Sequence, residues 1–89
     1  MFNKLSFRDS GVEAIASSIY FSGSAARAMK QVSEFFPDYN KRRSEDHNNA
    51  VKFVIESMTQ MIDIAATAHE IDKNELIEKL KAMISGGLS

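Results

Sequence analysis

The chain has no cysteine and no tryptophan, and only one proline and four glycines among its 89 residues. Without cysteine no disulfide can staple the fold, and no thiolate can hold a metal, so Cys2His2-type zinc sites are excluded. The scarcity of proline and glycine suits a helical protein. Charge of one sign is also lacking. A formal net charge of −1 gives the chain no global attraction for nucleic acid or anionic lipid. Long apolar runs are missing as well. None approaches the roughly 20 residues that span a bilayer, and the opening MFNKLSFRDSG has no signal-peptide core. The expectation is a cytoplasmic protein with no membrane partner.

A single domain over residues 1–89 is expected from the length. A domain this small buries only about 60–65% of its unfolded surface, so helix packing or self-association has to supply stability.

What is present is helical periodicity. Val12, Ile15, Ile19, Ala26, Met29, Val32 and Phe36 recur at three- and four-residue steps, with Ser22 filling the gap. Ser10 and Glu13 make an S-x-x-E capping box, which places a first helix over about 10–36. FFPDYNKRRSED, around Pro37, reads as the break after it. A second helix is expected over about 44–69, starting at Ser44 with Glu45 and Asp46 favouring its positive end. Its stripe is Val51, Val54, Ile55, Met58, Met61, Ile62 and Ala65. Phe53 and Ile64 lie off that stripe, as in a helix with two neighbours. A third helix over about 72–85 has Asp72 and Glu75 as a capping box, Ile71 and Leu76 as a hydrophobic staple, and Gly86 as its stop. Leu76, Leu80 and Met83 form its inner face, and Glu75 pairs with Lys79 on the outside. The pattern predicts an all-α fold, a long antiparallel helical hairpin plus a short C-terminal third helix, assembled as a homo-oligomer.

One stretch conflicts with a continuous first helix. In YFSGSAARAMK, Ser22, Gly23 and Ser24 stand at its centre, where glycine costs about 1 kcal/mol relative to alanine. Ala14, Ser18, Ser22 and Ala26 fall four apart and Gly23 adjoins them. A row of small residues permits close approach of a backbone or a ligand. It reads either as a kink or helix contact, or as a shallow pocket roofed by Tyr20 and Phe21 and edged by Arg27 and Lys30. In the second case an aromatic stacks on the ligand and a cation meets its phosphate.

Other chemistry is sparse. His47 and His69 form no H-E-x-x-H pattern, so no metal or cofactor is expected. No nucleophile elbow or phosphate-cradling glycine loop occurs, and the chain does not read as an enzyme. Lys41-Arg42-Arg43 is flanked by Asp38, Glu45 and Asp46 and reads as a solvated loop, so a nucleic-acid partner is not favoured. Met29, Met58, Met61 and Met83 lie on apolar faces. They are core fillers, or else an adaptable groove for a host protein. Phe2, Leu5 and Phe7 are too apolar for a free tail and are expected to dock.

EAIASSIYFSG (13–23) resembles the first-helix pattern of the phage helical-hairpin proteins that sponge cyclic oligonucleotide signals in anti-CBASS immunity. MTQMIDIA (58–65) resembles the later part of that family's second helix, and FRD (7–9) is similar to the aromatic-Arg pair before its first helix. The resemblance implies a non-enzymatic oligomer that sequesters a cyclic nucleotide between subunits. Phe7 or Tyr20 would stack on a base, and Arg8 would meet phosphate. The match has gaps. Phe7 stands where the family has a stacking tyrosine, Tyr20 where it has a phosphate-binding lysine, and Ile62 near a second-helix arginine. Arg27 or Lys30 would replace the missing lysine, and helix three has no counterpart. The ligand set is then Phe7, Arg8, Tyr20, Ser22, Gly23, Arg27 and Lys30. Two other readings stand beside it: an adaptor or inhibitor gripping a host protein through methionine-rich faces, and a small transcriptional regulator.

Overall fold

A computed structural model describes residues 4–88, with side chains described from Gly11 onward. Among them are five helices and no strand: α1 (Lys4–Tyr20), α2 (Ser24–Phe35), α3 (Glu45–Ser57), α4 (Thr59–Ala68) and α5 (Lys73–Gly87). The all-α expectation holds. The hairpin-plus-one arrangement does not, because both long helices are divided.

The first division is a true elbow. Gly23 adopts φ 106°, ψ −30°, outside the helical region and in a conformation that L side chains rarely adopt. Val12, Ala16 and Ile19 are the buried positions before it, and Ala25, Ala28 and Val32 after it. A continuous helix would have carried the first stripe on to Ala26, but Ala26 is exposed. The elbow therefore resets the helical phase, and α1 and α2 turn to different partners. α1 packs chiefly on α5 and α2 on α3. The helix start is corrected too. α1 begins at Lys4, so Ser10 lies inside it and cannot be its cap. The expected docking of Phe2, Leu5 and Phe7 falls outside the described side chains.

The second division is slight. At Met58 (φ −111°, ψ 11°) the chain leaves α3 and re-enters α4, and Met58 itself is fully buried. The predicted stripe of this helix pair is buried or half-buried throughout, from Val51 to Ala65. Its start is as expected. Ser44 Oγ accepts the His47 amide at 2.9 Å, with Glu45 and Asp46 in the first turn. The break before it is a series of tight turns. The Ser44 hydroxyl donates to the Asp38 carbonyl at 3.0 Å, and the Asp46 carboxylate accepts the Asp38 amide at 2.8 Å.

α5 packs against α1, α3 and α4. Asp72 caps it by accepting the Asn74 amide at 2.9 Å. Leu76, Leu80 and Ile84 are fully buried while Met83 is half-buried, so the inner stripe follows four-residue steps past Met83. Lys79 reaches Glu13 of α1 at 3.4 Å rather than Glu75. The helix runs through Gly86 and ends at Gly87, and the C-cap residue Leu88 buries its side chain against the core.

Candidate functional site

Among the described residues, cavities lie at the elbow, between α3 and α5, and on α4 beside Asp63, Ile64, Thr67 and Ala68. At the elbow, Tyr20, Phe21, Gly23, Ala26 and Met29 line a shallow space of about 230 Å³. Tyr20 and Phe21 meet edge to face, with ring centroids 4.9 Å apart and planes at 78°. Phe21 is 79% exposed, an unusual position for so large an apolar ring. Tyr20 is held from behind. Its hydroxyl is 3.7 Å from the Met29 sulfur, and a Cβ at Gly87 of α5 would fall 2.5 Å from that hydroxyl. Glycine at 87 thus makes room for the Tyr20 wall.

Of the residues expected to form a ligand site, Tyr20 and Gly23 line this cavity. Arg27 and Lys30 are exposed on α2, each one residue past a lining position, and neither has an ion-pair partner among the described residues. Ser22 is turned elsewhere. Its hydroxyl donates to the Ile19 carbonyl at 2.6 Å and lies 3.5 Å from the Met61 sulfur of α4. The side chains of Phe7 and Arg8 lie outside the described residues. The small-residue row is not a close-packing seam. Ala14, Ser18, Ser22 and Ala26 are all exposed, and a Cβ on Gly23 would meet nothing within 4 Å. Gly23 is required by its backbone angle, not by a neighbour. Ala26, expected on the inward face, is exposed and lines the cavity, while Met29 both lines it and packs half-buried on the core.

The second cavity, about 700 Å³, is a groove between α3 and α5 lined by His47, Asn48, Val51, Lys52, Glu78, Lys81, Ala82 and Ser85. His47 is its buried polar residue, at 3% exposure. Its Nδ1 is 2.7 Å from the Tyr39 carbonyl and its Nε2 is 2.8 Å from Ser85 Oγ. A carbonyl only accepts, so Nδ1 carries the hydrogen and donates to Tyr39. In the uncharged ring Nε2 keeps a lone pair, to which the Ser85 hydroxyl donates. Serine, histidine and an orienting acceptor in series resemble an activated nucleophile. Ser85, however, lies inside α5, where the neighbouring backbone amides are spent on helix carbonyls. The pair ties the α2–α3 loop to α5.

Among the described residues, no group of three or more His, Asp or Glu side chains is placed to hold a metal ion. No helix there is long and apolar enough to cross a membrane. The methionines turn inward: Met58 is fully buried, and Met29, Met61 and Met83 pack half-buried on the core. Among the described side chains, the large apolar ones left exposed are Phe21, Phe35 and Ile64. No protein-family model matches the sequence, and no curated protein or solved structure matches it significantly.

Proposed function

We propose that the chain is a non-enzymatic binding protein that self-associates and sequesters a cyclic nucleotide at the α1–α2 elbow. The observation that carries this reading is Phe21. It stands 79% exposed on the rim of an apolar cavity, edge-on to Tyr20. An exposed aromatic beside a small-residue floor is a stacking platform for a flat ring. Arg27 and Lys30, exposed on α2 just past the elbow, supply cations for the phosphates. The resemblance of EAIASSIYFSG to the sponge family adds the ligand class.

Size argues for the oligomer. A cavity of about 230 Å³ is smaller than the roughly 300–1,000 Å³ of ordinary ligand pockets. It has room for one base, so the second base of a cyclic dinucleotide needs a second copy of the chain. Titration calorimetry with cyclic di- and trinucleotides tests the reading. One of them is expected to bind, with Phe21→Ala weakening it at least about fivefold, as loss of one stacked base implies. Absence of heat from every member of the set overturns it.

The adaptor reading draws support from Phe35 and Ile64, 59% and 68% exposed. Phe35 sits in a ring cluster with Phe36 and Phe53, at centroid distances of 6.4 and 5.8 Å. Purification discriminates: a retained ultraviolet-absorbing small molecule favours sequestration, and a stoichiometric protein favours the adaptor.

A further inference from the structure

We propose that the α3–α5 groove is a second binding site, for a small hydroxylated anion. The polarity of its floor and its rim specifies that chemistry. At the floor, the Tyr39 carbonyl fixes the hydrogen of His47 on Nδ1, and against the uncharged ring Ser85 spends its own hydrogen on Nε2. Ser85 Oγ keeps acceptor lone pairs and has no hydrogen left to give. A ligand reaching it has to donate, as a hydroxyl does. Asn48, also in the lining, offers an amide that both donates and accepts. At the rim the requirement is the opposite. Lys52 carries an ammonium with no ion-pair partner among the described residues. Lys81 is held only by Glu78, at 3.6 Å and on half-exposed side chains. Such a surface pair is weak, so Lys81 is available to a better anion. Two cations against one carboxylate leave the rim positive. The volume, about 700 Å³, is within the ordinary range for small-molecule pockets. Donors are thus needed at one end of the ligand and negative charge at the other. A sugar phosphate and a sugar acid both meet that description.

Amide NMR of the full chain, titrated with ribose 5-phosphate, gluconate, methyl phosphate and ribose, tests this. Ribose 5-phosphate or gluconate is expected to move the signals of His47, Asn48, Lys52, Lys81 and Ser85, and the stronger of the two identifies the anion. Methyl phosphate, which has charge but no hydroxyl, and ribose, which has hydroxyls but no charge, are each expected to bind at least tenfold more weakly. The exposed double variant Lys52→Gln/Lys81→Gln is expected to lose at least tenfold in affinity with its spectrum otherwise unchanged. Phe21→Ala, at the elbow, leaves groove binding intact, so this site and the proposed nucleotide site succeed or fail separately. The proposal is overturned if neither hydroxylated anion moves the groove signals, if either control binds equally well, or if the lysine variant retains affinity.

Discussion

At the scale of single residues, three backbone angles carry most of the information. Gly23 (φ 106°) makes the elbow, and Arg43 (φ 65°) and Glu70 (φ 52°) are the two non-glycine residues with positive φ among the described residues. No atom blocks a Cβ at Gly23, so the cost of Gly23→Ala is purely conformational, about 1–3 kcal/mol. Urea denaturation will read that loss, and a variant as stable as the parent would contradict the elbow geometry. Glu70 closes α4. The Ile71 amide reaches back to the Ala66 carbonyl at 3.0 Å, and the Glu70 amide to Thr67 at 3.4 Å, the two bonds of a Schellman cap. That cap favours glycine at position 70. Relief of the left-handed strain, about 1–2 kcal/mol, exceeds the entropy that glycine adds to the unfolded chain, about 0.5–1 kcal/mol. Glu70→Gly should therefore raise the denaturation midpoint, by a net gain of about 0.5–1 kcal/mol.

At the scale of elements, α5 holds the others together. Leu80 is fully buried on a helix that touches α1, α3 and α4. Leu80→Ala should cost about 2–5 kcal/mol, whereas Lys79→Ala, which breaks only the exposed Glu13 contact, should cost under about 1 kcal/mol. Equal losses in thermal melts would contradict this ranking. The end of α5 also reaches the elbow. Gly87→Ala sets its new methyl 2.5 Å from the Tyr20 hydroxyl and 2.9 Å from Met29 Cε, and Tyr20→Phe removes the first of these contacts. The cost of the alanine should fall in the phenylalanine background, a coupling that a double-mutant cycle measures. How much of this was readable in the sequence depends on the residue types. Pro37 with its polar neighbours marked the loop, and Ser44 and Asp72 marked real helix starts, because caps are local chemistry. The phase reset was not legible. Ala25, Ala26 and Ala28 are alike in hydrophobicity, so nothing in the pattern says which of them faces inward. The Ser10 box misled because the helix had already begun upstream. At the elbow, aromatic residues beside small ones were a usable signal. The groove had none, since His47 and Ser85 are 38 positions apart and meet only through tertiary packing.

At the scale of the molecule, surface is in excess. The accessible area is 6188 Å², against about 5,200 Å² for a compact monomer of this mass. The radius of gyration, 13.8 Å, exceeds the roughly 12 Å of a compact chain of this length, and the extents are 47 × 24 × 18 Å. An elongated body with Phe21, Phe35 and Ile64 on its surface has area to lose by pairing. Sedimentation at micromolar concentration is expected to show a homo-oligomer, and a stable monomer would count against both the association and a shared nucleotide site.

The position of α5 in the chain has a further consequence, in the order of synthesis. α1, α3 and α4 all rest on a helix translated after them. While the first 72 residues emerge, α2 and α3 can close upon each other, and α1 has only its slighter contacts with α2 and α4. Much of the apolar stripe of α1 waits for α5 to clear the ribosome. A chain cut before that point is expected to be not a smaller version of the protein but a substrate for chaperones and proteases.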